Sequence, residues 1–338
     1  MTGPDRTRVA VGEPREILAL VCYSLGYRPQ DSLALVGVRE DRSTLVARID
    51  LPAPADLIDA LTGVCSPLLR EHVTGVVAVL FTPTDPPVTA QDAAGVLGAA
   101  TVLGQAGLRV HDLIWVGPTR YRSQSCPDPA CCPPAGRQVA EALTDSLVAA
   151  TEVAAGTTCA ATEADLLAET RPRDVLPVET ILGTDPGDAH AWLAAWTTWL
   201  AHPDRVDWAR AIAGINRIRY RDAVMTAALA GELDPVAAYD AAPELTDHLL
   251  SRCPDVENTS TNLALLAALA ARAPQRWRAQ PLAAAAFLAW QSGRGVKARL
   301  LARAATDDDP TCSLAALVTR LIQAAVPPPW TTTSPGPT

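Results

Sequence analysis

The sequence predicts an α/β N-terminal domain with a mixed, partly parallel sheet, followed by an all-α C-terminal domain of repeat-like helical hairpins. The chain has 338 residues, which is enough for two domains at ~150 residues each. Apolar runs of strand length occur before residue 120, whereas the pattern after residue 160 is helical throughout. The apolar share is 49% but only 4% of residues are aromatic, which favours closely packed helices over a β-sandwich.

The domain boundaries follow from the same patterns. We expect the α/β domain at residues 14–158 and the all-helical domain at residues 160–326. Residues 1–13 and residues 327–338 are expected to be disordered, and the second of these segments is rich in proline and threonine.

A helix and a β-hairpin are predicted to begin the first domain. Pro14 suits the first turn of a helix that continues through an apolar run to Leu25. Leu33–Val38 and Leu45–Ile49 flank a polar turn, which is the pattern of two antiparallel strands. A second helix is expected over about residues 55–71.

The next segments predict a parallel strand pair. An apolar strand over 76–81, a helix over 89–106 and an apolar strand over 110–116 follow one another. This order implies a right-handed crossover between parallel neighbours. We therefore expect one mixed sheet that also includes residues 32–50, followed by a helix over 138–154.

The second domain is expected to consist of helices separated by prolines. Gly293, Ala298, Ala305 and Pro310 match the turn glycine, packing alanines and terminal proline of one tetratricopeptide unit, although an ordinary helical hairpin explains them equally well. The predicted helices lie at 162–169, 188–201, 205–215, 217–231, 234–239, 243–252, 258–272, 280–292, 295–305 and 312–325.

Three tryptophans recur at helical spacing in this domain. Trp192, Trp196 and Trp199 lie on one stripe of a helix, and such a stripe usually belongs to the core. The alternative is a partner-binding face. We expect all three to be mostly buried.

The segment 120–136 contains three thiols within seven residues. Cys126, Cys131 and Cys132 could bind zinc or an iron–sulfur cluster, because soft metals prefer thiolate ligands. Against a metal, the spacing C-x4-C-C is not that of a standard zinc site, and adjacent cysteines tend to project in different directions. No fourth ligand is evident, and His111, Asp112 and Cys159 are candidates on sequence proximity alone.

A loop with buried, unligated thiols is therefore the favoured interpretation, and a metal site and a redox or disulfide function are its alternatives. We expect the three cysteines to lie close together at the carboxyl edge of the sheet. The four prolines at 127, 129, 133 and 134 fix the backbone of this loop.

A ligand site is also predicted at this edge, because ligands of open α/β sheets bind beyond the carboxyl ends of the strands. The loops 82–88 and 117–136 both leave carboxyl ends of the predicted parallel strands. The candidate ligand-binding residues are Thr82, Thr84, Asp85, Arg120 and Tyr121. The alternative is that these are simply the loops that the fold requires.

Charge and cysteine content limit the partners and the compartment. The net charge of −9 disfavours nucleic acid and anionic membranes, which both require a basic face. No secretory signal or membrane span is evident, so we expect a cytoplasmic protein. Clustered cysteines in a reducing compartment more often indicate metal or redox chemistry than structural disulfides.

Three stretches resemble an actinobacterial family, the domain of unknown function 4192. They are Tyr23–Leu33, Tyr121–Gly136, and Ala289–Gly293 with Ala298 and Arg299. The stretches occur in the family's order and span nearly the whole chain, and the three loop cysteines match the family pattern. The resemblance implies no activity.

The chain departs from the family pattern inside the cysteine loop. Arg122 stands where the family usually has tryptophan, and Gln124 and Ser125 replace aromatic and small residues. Ala135 replaces a usual glutamate, which weakens an enzymatic interpretation.

No catalytic constellation is evident in the sequence, so we expect no catalytic residue and favour a non-enzymatic protein. The predicted function is a protein-interaction or scaffolding module that binds a protein partner through its helical domain. The alternative is an enzyme, or a small-ligand or redox sensor, with its site at the sheet edge beside the cysteine loop.

Overall fold

The computed structural model describes residues 12–40, 42–51, 61, 65, 68, 69, 72–86, 98, 100–154, 157–241, 248 and 251–332. The chain divides into two units, residues 2–165 and residues 166–338. Most of each of the predicted helices over 55–71, 89–106 and 243–252 lies outside the described residues, as do residues 1–11, and the described residues 61, 65, 68 and 69 are helical.

The first unit contains a mixed sheet with helices before and after it. Residues 100–105 form the last part of the helix that precedes the strand beginning at Arg109. The elements are, in chain order, α1 (Pro14–Leu25), β1 (Ser32–Arg39), β2 (Arg42–Asp50), β3 (Gly75–Phe81), β4 (Arg109–Val116), β5 (Arg120–Ser123), β6 (Arg137–Gln138), α2 (Val139–Thr144) and α3 (Leu147–Ala154).

The sheet confirms the predicted mixed architecture. Its strand order is β2-β1-β3-β4-β5-β6, in which β3 and β4 are parallel and every other pair is antiparallel. Every residue of β3 is buried, as expected for a central strand that is covered on both faces.

Two strands were not predicted. Residues 120–136 were predicted to form a loop, but residues 120–123 form β5, and β6 follows at residues 137–138. Tyr121 pairs with Val116 on one side and with Arg137 on the other, so the chain turns back and extends the edge of the sheet. The irregular segment between β5 and β6, residues 124–136, is the cysteine loop.

A buried carboxylate joins α1 to the start of α3. Glu16 is 5% exposed, and its carboxylate accepts hydrogen bonds from the backbone amides of Leu147 at 3.1 Å and Val148 at 2.9 Å. The first amides of a helix have no partner within the helix, and the positive end of the helix dipole favours an anion.

Replacing Glu16 with alanine is expected to lower the free energy of unfolding by about 1–2 kcal/mol, because a helix cap is lost and buried amides are orphaned. Glutamine retains one acceptor oxygen, so Glu16→Gln should lose less. Urea denaturation of the two variants measures the difference. Equal stability of Glu16→Ala and the parent would contradict this assignment.

The second unit is helical, and no strand occurs among its described residues. A 3-10 helix over Glu163–Thr170 spans the boundary between the units, and another covers Pro203–Arg205. The α-helices are α4 (Val178–Leu182), α5 (Ala189–Ala201), α6 (Trp208–Ile215), α7 (Ile218–Ala230), α8 (Pro235–Asp240), α9 (Val256–Arg272), α10 (Ala279–Gln291), α11 (Gly295–Asp308), α12 (Ser313–Gln323) and α13 (Pro329–Thr332).

The tryptophan stripe of α5 lies in the core of this unit, as predicted. Trp192 and Trp196 are fully buried, and Trp199 is 5% exposed. The indole Nε1 of Trp196 donates to Oδ1 of the buried Asn262 at 2.9 Å, which satisfies both polar groups. Because the stripe is covered within the unit, it is not a free face for a partner.

Helices α10 and α11 form the predicted hairpin. Gly293 adopts a φ of +74° in the turn, where glycine avoids the strain that other residues meet. Ala298, Ala302 and Ala305 are fully buried on α11, so small side chains let the helices approach closely. An ordinary helical hairpin accounts for these contacts, and the tetratricopeptide interpretation stays a prediction.

The C-terminal segment for which disorder was predicted contains a short helix in its described part. Residues 329–332 form α13, and the indole Nε1 of Trp330 donates to the carbonyl oxygen of Gln291 at 2.7 Å. An aromatic anchor therefore holds this segment to the helical unit, while residues 333–338 lie outside the described residues. Among the helices described, none combines the length and apolar character that a bilayer span requires.

Candidate functional site

The carboxyl ends of the parallel strands β3 and β4 meet at one edge of the sheet. Phe81 and Val116 are the last residues of these strands, and they are paired in register. The amide of Thr82 continues the ladder by donating to the carbonyl oxygen of Val116 at 2.9 Å. The loops after the two strands therefore start side by side, as the sequence predicts.

Asp85 anchors the loop after β4. Its Oδ1 accepts from the amides of Thr119 and Arg120, both at 2.9 Å, and its Oδ2 accepts from the Thr119 hydroxyl at 2.6 Å. Burial alone would raise the pKa of Asp85, but these hydrogen bonds and the Arg120 charge lower it below its ordinary value. The carboxylate is thus held ionised as a loop clamp.

The two loops pack closely because residue 117 is glycine. A Cβ at Gly117 would lie 2.5 Å from the Asp85 Cα and 2.5 Å from the Thr84 carbonyl oxygen. That carbonyl oxygen also accepts from the Thr82 hydroxyl at 2.9 Å and from the indole Nε1 of Trp115 at 3.3 Å. The loops therefore form one fixed structure at the edge.

A cavity of about 330 Å³ opens at this edge. Three segments line it, namely residues 28–31 before β1, residues 81–83 after β3 and residues 116–118 after β4. Nη2 of Arg28 donates to the carbonyl oxygens of Gly117 at 2.7 Å and Pro118 at 2.5 Å. The cavity lies where open α/β sheets bind ligands.

Of the five residues predicted for a ligand site, Thr82 lines this cavity, and Thr84, Asp85, Arg120 and Tyr121 do not. Nη1 of Arg120 donates to the carbonyl oxygen of Gly136 at 2.9 Å, and the Tyr121 side chain is 3% exposed. A ligand-binding role for these residues stays a prediction.

Arg28 also lies at this edge, although it was not among the predicted site residues. Its segment precedes β1, which runs antiparallel to β3, so the amino end of β1 meets the carboxyl end of β3. Predicting this position of Arg28 would have required knowing that β1 pairs antiparallel with β3. The β1–β2 hairpin pattern does not show which strand lies on the other side of β1.

Ser123 and Asp112 fix the start of the cysteine loop. The Ser123 hydroxyl donates to the Asp112 carboxylate at 2.8 Å and accepts from the amide of Cys126 at 3.0 Å. Both residues lie on paired strands, so the rigid sheet determines where Cys126 begins.

A tight turn holds the other two cysteines. The amide of Cys132 donates to the carbonyl oxygen of Asp128 at 2.7 Å. Arg137 on β6 donates from Nε to the carbonyl oxygen of Cys131 at 2.5 Å, and from Nη2 to the carbonyl oxygen of Ala130. The loop is therefore closed from both of its ends.

The three thiols converge. The Sγ atoms of Cys126, Cys131 and Cys132 all lie within 4.8 Å of one another, and those of the adjacent Cys131 and Cys132 are 3.8 Å apart. This confirms that the cysteines lie close together. The expectation that adjacent cysteines project apart is wrong here, because the turn brings both sulfurs to the same side.

The protons of Cys131 and Cys132 are held firmly in the absence of a metal. Burial raises the pKa of Cys132 to about 12, and hydrogen bonds with Cys126 and Cys131 raise it further. A hydrogen bond with the Ser123 backbone acts in the opposite direction and lowers this pKa. Burial also raises the pKa of Cys131, while the Arg137 charge acts against it. A bound cation would reverse this balance and displace the protons.

None of the predicted fourth ligands joins the cluster. Among the described residues, the group within ligand distance contains only the three cysteines. Both carboxylate oxygens of Asp112 accept from Ser123. The Cys159 thiol instead donates to the carbonyl oxygen of Ala160 at 3.8 Å. His111 lies on β4, where its ring would clash with any Cβ on Gly75.

A comparison with protein families covers nearly the whole molecule. The model of the family described as a domain of unknown function (DUF4192) matches residues 14–329. Neither the curated proteins nor the solved structures give a match. The matched range includes the sheet, the cysteine loop and the helices through the start of α13, so the chain belongs to the DUF4192 family.

Proposed function

We propose that this chain is a metal-binding protein whose cysteine loop takes up one Zn²⁺ ion. The observation that carries the proposal is the convergence of three Sγ atoms within 4.8 Å. Thiolates at ~2.3 Å from a tetrahedral zinc are about 3.8 Å apart. The Sγ atoms of Cys131 and Cys132 already have this separation, at 3.8 Å.

The surroundings of the loop also suit a thiolate–metal centre. Three thiolates around Zn²⁺ leave one net negative charge, and the Arg137 guanidinium lies against the carbonyl oxygens of residues 130 and 131. The Ser123 hydroxyl and the Asp128 carbonyl oxygen hold the backbone of Cys126 and Cys132. These hydrogen bonds hold the loop backbone in place before a metal binds. Zinc binding therefore costs little conformational entropy in the loop.

Zinc fits the donor set better than an iron–sulfur cluster. A [2Fe–2S] or [4Fe–4S] cluster generally takes four protein ligands, and the cluster of described residues offers three. Zinc with three protein ligands keeps one open position for water or another small ligand. Cys126 and Cys131 are partly exposed, so that position is accessible to solvent.

Partly exposed thiols that would leave one position on the metal open favour the sensor or small-ligand alternative over pure scaffolding. The protein-interaction role predicted from the sequence stays a prediction for the helical unit. The tryptophan stripe of that unit is buried, so it does not supply the binding face. We also propose a cytoplasmic location, because a reducing compartment keeps the thiols available for a metal. Catalysis is not part of the proposal.

The metal content of protein purified without chelator tests the proposal. We expect one zinc per chain by elemental mass spectrometry, and loss of that zinc in the double variant Cys126→Ser, Cys131→Ser. Both residues are partly exposed, so the substitutions should leave the fold intact. Cys253→Ser is the matched control, because Cys253 is an exposed cysteine of the helical unit.

Two results would overturn the zinc assignment. One is metal-free protein that takes up no zinc on titration and retains three thiols of the loop that react with a thiol reagent. The other is visible absorption with stoichiometric iron and inorganic sulfide, which would assign the loop to a cluster.

A further inference from the structure

A second pair of cysteines lies at the C-terminal end of α1. The helix ends at Gly26, whose φ is +82° and whose amide donates to the carbonyl oxygen of Cys22 at 2.9 Å. The carbonyl oxygen of Gly26 accepts from the amide of Ala160 at 2.8 Å, and Tyr27 and Ala160 form a parallel bridge. These contacts hold Cys159 beside the last turn of α1, which carries Cys22.

The two thiols lie on neighbouring segments and differ in exposure. Cys22 is fully buried, whereas Cys159 is partly exposed and packs against a small apolar cluster that includes Ala19 and Tyr23. Ala19 and Tyr23 flank Cys22 on one face of α1, so Cys159 packs beside Cys22. A reagent from solvent therefore reaches Cys159 first, and Cys22 is the neighbour that can react with it afterwards.

The electrostatics assign the same order. The hydrogen bond from Cys22 lowers the pKa of Cys159 below its ordinary value, and the Arg28 charge acts in the same direction against burial. The same hydrogen bond, with burial, raises the pKa of Cys22. The exposed thiol is thus the one that ionises first, and the thiolate is the nucleophile in cysteine chemistry.

We propose that Cys159 and Cys22 form a redox-active pair, in which hydrogen peroxide oxidises Cys159 and Cys22 then closes a disulfide with it. This site is separate from the cysteine loop, and the proposal does not depend on zinc. Its product joins the end of α1 to the segment around residue 160, both within the first unit.

The chemistry balances with peroxide as the oxidant. The Cys159 thiolate attacks one peroxide oxygen, so an S–O bond forms, the O–O bond breaks and Cys159 becomes a sulfenic acid. The leaving hydroxide takes up a proton and becomes water. Cys22 then loses its proton, its sulfur forms the S–S bond, and the S–O bond breaks to release a second water. Two thiols lose two electrons, and one peroxide becomes two waters.

Peptide mapping after treatment with one equivalent of peroxide tests the proposal. Trypsin cleaves after Arg15, Arg39, Arg122, Arg137 and Arg173, which places Cys22, Cys159 and the loop cysteines on three separate peptides. With free thiols blocked, we expect the linked Cys22 and Cys159 peptides as the main disulfide in the parent protein. Cys159 should react at least tenfold faster than the exposed Cys253.

Two variants separate the roles of the cysteines. Cys22→Ser should accumulate a sulfenic acid on Cys159, which dimedone traps, while Cys159→Ser should leave Cys22 reduced. The parent protein decides the matter even if the buried Cys22→Ser substitution impairs folding. Equal reactivity of Cys159 and Cys253, or peroxide-treated parent protein without the linked peptides, would overturn the proposal.

Discussion

Gly214→Ala is expected to destabilise the helical unit by about 3 kcal/mol, because the core has no room for a methyl group there. A Cβ at Gly214 of α6 would lie 2.0 Å from Nε1 of Trp192. The Trp192 ring cannot easily move, since its Nε1 donates to the carbonyl oxygen of Arg210 at 2.9 Å. Its centroid also lies 5.3 Å from that of Trp196 and 5.4 Å from that of Tyr220.

Gly295→Ala is the matched control for this substitution. Gly295 begins α11, and nothing lies within 4 Å of a Cβ placed there. Alanine at such a position leaves stability unchanged or raises it by about 0.4–1 kcal/mol, because the unfolded chain loses freedom. Urea denaturation followed by tryptophan fluorescence compares the two. If both variants unfold at the same urea concentration, the close contact between α5 and α6 is wrong.

Local patterns predicted the sheet well. The runs of β1 and β3 are apolar over residues 33–38 and 75–81, and buried central strands require such runs. The strand–helix–strand order then left a parallel pair as the natural arrangement, and β3 and β4 adopt it. Periodicity likewise placed Trp192 and Trp196 in a core.

Short elements whose conformation depends on their packing partners could not be predicted in this way. β5 is only four residues long and contains two arginines, so its strand conformation comes from pairing with β4 rather than from its own pattern. α13 follows a Pro-rich segment and is held by Trp330, a single residue with no periodic signal. Short elements of this kind are determined by what they dock against.

Part of the candidate site was predicted in location but not in geometry. Sequence order brought Asp85 and the loop after β4 to one edge, because both follow parallel strands. The cysteine loop follows β5, which runs antiparallel to β4, so sequence order did not place it at that edge. Composition could not show that Asp85 is saturated by the amides of Thr119 and Arg120. It also could not show that a turn closed by Arg137 brings Cys131 and Cys132 together, since the hydrogen bonds involved join different elements.

Zinc is expected to stabilise the first unit by about 4 kcal/mol when its free concentration is a thousand times the dissociation constant. The reason is that the metal binds the folded loop, whose three thiols converge, far better than the unfolded chain. Amide hydrogen exchange of peptides covering residues 120–136 measures the effect locally. Exchange there should slow on addition of zinc and return to its initial rate with chelator.

Acid should remove this stabilisation. The pKa values of Cys131 and Cys132 are raised in the metal-free loop, so zinc must displace their protons to bind, and lower pH favours the protons. In Cys126→Ser, Cys131→Ser, zinc should leave the exchange of residues 120–136 unchanged, whereas Cys253→Ser should respond like the parent. Equal slowing of exchange in the double variant would show that zinc acts elsewhere on the chain, because that variant retains only one thiolate of the cluster.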